Sequence, residues 1–183
     1  MYLIRFMRTG LVVLSCLLSA LPAGAADLTA FIGGVKAGAL TLGSVRTSLD
    51  GSPIFGLRIN TNFVPMFGME HTLAFSSDYL YPKSLSAIKD AKGFVYNSNL
   101  IVNLPVGHAV PYLTAGFGLI SQYGSPAVPI GTKFAVNYGG GLKLPKMFGP
   151  LGLRFDARGY STTAVSSGGL RIFEMSGGLL LTF

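Results

Sequence analysis

The most informative part of the sequence is residues 54–63, IFGLRINTNF, because the character of the side chains alternates along it. The more apolar phase comprises Phe55, Leu57, Ile59, Thr61 and Phe63, and the other phase comprises Ile54, Gly56, Arg58, Asn60 and Asn62. A period of two residues is typical of a β-strand that has one apolar and one polar face. This segment therefore predicts a strand.

The same alternation recurs along the rest of the chain. Residues 69–79 alternate after a tight turn at residues 64–68, VPMFG, so these two segments form a predicted hairpin. Further strands are predicted at about residues 28–36, 94–104, 112–121, 134–144, 151–160 and 171–183, which makes eight in all. The phase of the first strand is open, because Phe31 and Ile32 fall on opposite faces.

The connections between the predicted strands are alternately short and long. Short turns contain the evenly spaced Pro65, Pro105 and Pro145, whereas longer polar links occupy about residues 39–53, 80–93, 122–133 and 161–169. An even number of strands with short turns at one end and long loops at the other is typical of transmembrane β-barrels. Strands of about 9–11 residues also match the tilted span of a bilayer. The predicted fold is an all-β, eight-stranded, antiparallel up-and-down transmembrane barrel.

The charged residues distinguish this barrel from a soluble barrel such as a lipocalin, whose apolar phase faces inward. Eight charged residues, four basic and four acidic, share the phase opposite the large apolar side chains: Arg58, Glu70, Asp78, Lys143, Arg154, Asp156, Arg158 and Glu174. A Lys or Arg that faces lipid in mid-bilayer costs about 2–4 kcal/mol. We therefore expect these residues to form a paired polar network inside the barrel. Because eight strands enclose only enough room for side chains, this polar interior is expected to be plugged.

Glycines and aromatic residues support two finer expectations. If Leu144 pairs with Leu151, then Gly141 lies opposite Arg154 and leaves room for its charged side chain. The alternative is that the glycines at residues 139–141 form a loop. Aromatic residues near the predicted strand ends are expected to form the interfacial girdles of a membrane barrel: Phe63, Tyr79, Phe94, Tyr112, Phe148 and Tyr160.

The composition agrees with a membrane protein and argues against nucleic-acid binding. Half of the residues are hydrophobic and 11% are charged, compared with about 25% charged residues in soluble domains. The formal net charge is +7, but Lys and Arg are scattered singly rather than clustered on one face, as a nucleic-acid site requires. With one cysteine in the chain, neither a disulfide nor a thiolate metal cluster is expected.

The N-terminus has the three parts of a secretory signal. Two arginines precede an apolar run at residues 11–21, and residues 23–25, AGA, form a cleavage motif. We therefore expect residues 1–25 to be a cleaved signal peptide and residues 26–183 to be the barrel domain. One alternative is a retained helix, although the run is shorter than the roughly 20 residues that span a bilayer. The other is lipoprotein acylation at Cys16, which would leave a very short apolar core.

Several segments together resemble a known family: residues 110–119 (VPYLTAGFGL), 137–143 (NYGGGLK) and 153–160 (LRFDARGY), and the terminal Phe183. They resemble the small outer-membrane barrels of the OmpA/OmpX-like superfamily. The resemblance implies a location in a Gram-negative outer membrane after Sec export, with Arg154, Asp156 and Arg158 in the interior network. It also implies that the barrel assembly machinery recognises a C-terminal signal: Leu179, Leu181 and Phe183.

A barrel of this family implies a location more than an activity. We expect a structural or surface-interaction role, with no enzymatic activity, no cofactor and no nucleic-acid partner. Basic residues in the predicted loops and at their edges are candidates for contacts with the phosphates of lipopolysaccharide: Arg46, Lys83, Lys89, Lys92 and Lys133. The alternative is that these charges are simply solvated.

Two other functions stay open, a narrow channel for small solutes and a lipid A-modifying outer-membrane enzyme. Eight strands argue against an aqueous pore, because porins have about twice that number. A serine-dependent enzyme needs a histidine beside its nucleophile. The two histidines, His71 and His108, belong to no His-x-Ser pair, and both are expected near short turns.

Overall fold

A computed structural model describes residues 26–38, 40–42, 45–47, 51–77, 79, 91–124, 131–162 and 170–183. The predicted signal peptide lies outside the described residues, as do Asp78, Lys83 and Lys89. For Arg46 the backbone is described but the side chain is not. What the sequence predicts for these positions stays a prediction.

The described residues form ten β-strands: β1 (Ala26–Ala37), β2 (Leu40–Leu42), β3 (Val45–Thr47), β4 (Ser52–Val64), β5 (Phe67–Ser76), β6 (Lys92–Asn103), β7 (Val110–Tyr123), β8 (Thr132–Phe148), β9 (Leu151–Thr162) and β10 (Arg171–Thr182). The short strands β2 and β3 pair with each other in a separate hairpin, which the sequence did not predict. The other eight close into an antiparallel barrel. The predicted fold class is therefore confirmed. Within the described ranges, no helix is long and apolar enough to cross a membrane.

The barrel has an up-and-down topology. Each strand pairs with its neighbours along the chain, and β1 closes the barrel by pairing with β10. The short connections at residues 65–66, 104–109 and 149–150 lie at one end, which we call the turn end, together with both ends of the described chain. The longer connections leave from the opposite end, which we call the loop end.

The structure determines which phase of each strand faces outward. In β1, Ile32 is 69% exposed whereas Phe31 is buried, which settles the phase that the sequence left open. In β4, Leu57 faces outward and Arg58 is fully buried, in agreement with the alternation at residues 54–63. The apolar phase therefore covers the outside of the barrel.

The outer surface is a continuous apolar belt. Each barrel strand contributes at least one exposed large apolar side chain, as in Ile32, Phe55, Phe75, Leu100, Leu113, Val136, Phe155 and Leu179. Soluble monomers rarely expose a contiguous apolar patch of more than a few hundred Å². The outside of this barrel is therefore suited to an apolar medium rather than to water.

The pairing predicted around the last turn is wrong by two residues. Leu144 pairs with Leu153 rather than with Leu151, because the chain bulges between Leu144 and Phe148 before it turns. Lys146, inside this irregular stretch, has a positive φ of 56°. A bulge adds residues to one strand without partners on the other, which a count of residues across a turn does not detect. Residues 139–141 nevertheless belong to β8 and do not form a loop.

Three of the six aromatic residues predicted for the girdles face the interior instead: Tyr79, Tyr112 and Tyr160. Tyr79 follows the end of β5 at Ser76, so the alternation of that strand no longer sets its direction. Tyr112 and Tyr160 occupy the inward phase of their strands, where their hydroxyl groups find buried carboxylates. A tyrosine is well accommodated inside a protein when its hydroxyl has such a partner.

Candidate functional site

The interior of the barrel holds seven of the eight charged residues predicted to line it, each at most 5% exposed: Arg58, Glu70, Lys143, Arg154, Asp156, Arg158 and Glu174. The eighth, Asp78, lies outside the described residues. Six of the seven form one cluster, which we call the ionic plug: Arg58, Glu70, Arg154, Asp156, Arg158 and Glu174. Strand β9 supplies three of them, because alternate residues of a strand point to the same face.

Asp156 is at the centre of the ionic plug. Its Oδ2 atom lies 3.1 Å from Arg58 Nη1 and 3.1 Å from Arg154 Nε. Its Oδ1 atom accepts a hydrogen bond of 2.8 Å from Arg158 Nη2 and another from the Tyr112 hydroxyl. One carboxylate thus pairs with three guanidinium groups and a phenol.

Two glutamates complete the pairing of the arginines. Glu70 lies 2.6 Å from Arg154 through Oε2 and 2.6 Å from Arg158 through Oε1. Glu174 pairs with Arg58. Buried charges are tolerated when they are paired and hydrogen-bonded. Each of the three arginines and three carboxylates of the ionic plug has at least one oppositely charged partner, although Arg58 Nε and Arg154 Nη1 have no hydrogen-bond acceptor among the described residues.

Aromatic side chains pack around the ionic plug, and the sequence did not predict them there. The guanidinium carbon of Arg58 lies 3.6 Å from the centroid of the Phe31 ring, which is a cation–π contact. The Tyr160 hydroxyl donates a 2.5 Å hydrogen bond to Glu174 Oε2. These rings fill the space between the charged groups and limit the access of water.

A second ion pair lies inside the barrel nearer the turn end. Lys143 Nζ donates a 2.8 Å hydrogen bond to Asp27 Oδ2. The sequence did not predict a role for Asp27, because the phase of β1 was open. Phe31 lies four residues further along β1 and also faces inward. With Asp27 included, the described interior holds four cations and four carboxylates.

The loop-end part of the interior is lined mainly by apolar side chains, with the buried Ser76 and Gln122 among them, in contrast to the polar interior that we predicted. It comprises Val35, Ile54, Val95, Ile120, Ile172 and Tyr79, all buried, which we call the apolar cap. The sequence already contained an indication of this apolar part, since Ile54 belongs to the same inward phase as Arg58. Tyr79 is held in the cap by its backbone, which accepts a 2.7 Å hydrogen bond from the side chain of Gln122.

The ionic plug and the apolar cap lie in series along the barrel. The side chains of Arg58, Arg154 and Arg158 have no accessible surface, so water does not reach these cations from either end. A conducting pore would expose such groups to solvent. This arrangement can therefore seal a barrel.

The remaining predicted residues lie at the two ends. Lys92 is the first residue of β6 and Lys133 the second residue of β8, both at the loop end. Strand β7 separates them, so the structure does not bring them together. At the turn end, Leu179 and Phe183 are exposed and Leu181 is half-buried. Their roles in contact with lipopolysaccharide and in assembly stay predictions.

The histidines do not form an evident catalytic site. His71 lies in the middle of β5 on the outer face rather than near the turn, and its Nδ1 atom is 3.2 Å from Tyr96 Oη. His108 lies in the turn at residues 107–108, as expected. Among the described residues, no group of three or more His, Cys, Asp or Glu side chains could hold a metal ion.

Gly141 faces the ionic plug and provides a test of how tightly the interior is packed. It lies opposite Asp156, and a Cβ atom at this position would clash with the backbone oxygen of Phe155 and with the Tyr112 hydroxyl. A Gly141→Ala variant is therefore expected to lose about 1–3 kcal/mol of folding free energy, measured by urea unfolding in vesicles. Gly177→Ala is the matched control, because a Cβ on this outward glycine would meet its nearest atom at an ordinary 3.5 Å. Equal stability of both variants would contradict tight packing of the interior at Gly141.

Comparison with known proteins shows similarity of fold without close similarity of sequence. No protein-family model and no curated protein matches the chain. Neisserial surface protein A (NspA) is 16% identical in sequence, with a TM-score of 0.65, and the alignment covers 87% of this chain and 99% of the NspA chain. OprG of Pseudomonas aeruginosa is 12% identical, with a TM-score of 0.61, and the alignment covers 88% of this chain and 96% of the OprG chain. The outer membrane enzyme PagL is 11% identical, with a TM-score of 0.52, and the alignment covers 85% of this chain and 98% of the PagL chain. The chain thus has the fold of small eight-stranded outer-membrane β-barrels.

Proposed function

We propose that the protein is an integral outer-membrane β-barrel, sealed against solutes, with a structural or surface-contact role. The observation that carries this proposal is the filled interior, in which the ionic plug is followed by the apolar cap. A barrel that conducts solutes needs a continuous aqueous path, and eight strands leave little room for one. The external loops are then the parts that remain available for specific contacts.

The outer face of the barrel supports the membrane location. Exposed apolar side chains on all eight strands would be unfavourable in water and favourable in hydrocarbon. Closure of the sheet also satisfies the backbone of every barrel strand, which a lipid environment requires. The likeness of fold to NspA and OprG and the predicted signal peptide support the outer membrane in particular.

Recordings from planar bilayers test the sealed state. We expect a flat baseline after insertion of the purified barrel, because fully buried arginines block the path of ions. Heat-modifiable migration on a gel verifies that the barrel in this preparation is folded, and its recovery with floated liposomes of the same lipid verifies that it inserts, so that a bilayer without current is not mistaken for one without protein. Reproducible conductance steps from the folded protein would favour the channel alternative and overturn the proposal.

We also propose that the protein is not an enzyme, although PagL, which shares the fold, is one. His71 contacts the hydroxyl of Tyr96, and no described hydrogen bond joins either histidine to a serine. Serine nucleophiles are activated by a base within hydrogen-bond distance. An unchanged mass spectrum of lipid A after incubation with the folded barrel is expected, and the appearance of a deacylated product would contradict the proposal.

A further inference from the structure

The outer face of the barrel has a groove near the loop end, over strand β9. Its volume is about 490 Å³, and its floor is formed by Ala157 and Gly159, whose side chains are small or absent. Tyr138 on β8 and Phe173 on β10 form its two walls, and each is at least half exposed. We call this feature the outer groove. The ring of Tyr138 lies over Gly159, so the open part of the floor is at Ala157, whose side chain is a single methyl group.

Two cationic side chains, those of Lys36 and Arg171, lie at the loop end of the outer groove. In the strand register, Lys36 lies directly opposite Phe173, which in turn lies opposite Gly159. Arg171 is two residues before Phe173 on β10 and faces outward as well. Lys36 and Arg171 are therefore diagonal neighbours on adjacent strands, a placement that separates Cβ atoms by about 7–8 Å. Their long side chains can reach one common anion.

No described acidic residue neutralises these two cations. The four side-chain carboxylates with described positions, those of Asp27, Glu70, Asp156 and Glu174, are buried inside the barrel. Both Lys36 and Arg171 are exposed on the outside, and neither takes part in an ion pair among the described residues. Positive charge at this point of the outer face is therefore uncompensated within the described part of the chain.

We propose that Lys36 and Arg171 bind the phosphate of a lipid headgroup, while the outer groove holds one acyl chain of the same lipid. Charge complementarity favours an anion, and the apolar groove that continues from the cations favours one that is attached to hydrocarbon. In an outer membrane the phosphorylated lipid of the loop-side leaflet is lipid A, which we name as the occupant. This inference rests on the proposed membrane location, but it concerns the wall of the barrel rather than its external loops.

A simpler explanation is that both cations only reach into the aqueous headgroup region and bind no particular lipid. Substitution of Lys92 distinguishes between the two explanations. It also stands on the outer face at the loop end, opposite Tyr123, but it lines no part of the outer groove. If a phosphate site exists, Lys36 and Arg171 matter for lipid binding and Lys92 does not.

Native mass spectrometry of the full barrel in detergent, titrated with bisphosphorylated lipid A, tests the cations. We expect a Lys36→Gln/Arg171→Gln variant to bind lipid A at least about tenfold more weakly, because hydrogen bonds between charged partners are lost. Dephosphorylated lipid A should bind the variant and the native barrel equally. The control variant, Lys92→Gln/Lys146→Gln, removes the same amount of charge and should bind lipid A normally. Unchanged binding by the first variant, or equal loss in the control, would overturn the inference.

A second variant tests the groove with the cations left in place. Ala157→Leu fills the floor of the outer groove and is expected to weaken lipid A binding several-fold, whereas Ala115→Leu, on the outward phase of β7, should have no effect. Equal binding by both leucine variants would show that the groove holds no acyl chain and overturn that part of the inference. Heat-modifiable migration and silent bilayers test the proposed function independently. Suppose that the barrel is folded and non-conducting, but that neither Lys36→Gln/Arg171→Gln nor Ala157→Leu weakens lipid A binding. That result would refute this inference and leave the proposed function standing.

Discussion

An Asp156→Asn variant is expected to lose about 3–5 kcal/mol of folding free energy, the typical cost of removing one partner from a buried ion pair. Asp156 pairs with Arg58, Arg154 and Arg158. Without its charge, four interior cations face three carboxylates in the described part of the barrel, and the three arginines have no accessible surface at which water could replace the lost partner. We therefore expect this to be among the most damaging isosteric substitutions in the chain.

Reversible urea unfolding in vesicles, followed by heat-modifiable migration, measures this loss. Lys146→Gln is the control, because it removes a charge from an exposed residue at the turn end and should change stability by less than about 0.5 kcal/mol. A double variant, Asp156→Asn/Arg158→Met, restores the balance of charges and leaves Glu70 paired with Arg154. It should recover part of the loss, since apolar replacements of buried ion pairs are often neutral. A loss below about 1 kcal/mol for Asp156→Asn would show that water enters the ionic plug.

Arginine at Leu57 is expected to destabilise the barrel by about 2–4 kcal/mol in a lipid bilayer. Leu57 lies near the middle of β4 on the outer face and is 45% exposed. Hydrocarbon at that depth provides no hydrogen-bond partners for a guanidinium group, so the cost of removing it from water is not offset. The measurement is again urea unfolding in vesicles.

Phe63→Arg is the matched control for Leu57→Arg. Phe63 faces outward on the same strand, next to the turn end, and is more exposed than Leu57. Near the membrane surface the expected cost is about 0–1 kcal/mol, because the guanidinium group can reach water. If neither substitution is costly, the outer belt of the barrel faces water and the membrane location is wrong.

Local patterns in the sequence were sufficient for the eight barrel strands and for the direction of most of their side chains, but not for β2 and β3. The alternation at residues 54–63 predicted correctly that Leu57 faces outward and Arg58 inward, because a period of two follows from the geometry of each strand alone. The short turns at Pro65, Pro105 and Pro145 predicted the order of the hairpins. Where a bulge intervened, at residues 144–148, the same local reasoning placed the pairing two residues out of register.

The partners inside the barrel could not be predicted from local patterns. Arg58 pairs with Glu174, 116 positions away along the chain, because closure of the barrel brings the inward faces of β4 and β10 together. The same closure places Asp27 beside Lys143 and the ring of Tyr79 over the loop end of the interior.

The number of barrel strands, the order of the hairpins and the apolar outer face therefore followed from the sequence, since each depends on neighbouring residues and on the geometry of an extended chain. Three other features did not follow from the sequence. They are the matching of each buried charge to its counter-charge, the separation of the interior into an ionic plug and an apolar cap, and the alignment of Lys36, Phe173 and Gly159 across three strands. These features depend on the register between strands that are distant along the chain, and that register is determined when the closed barrel packs its side chains.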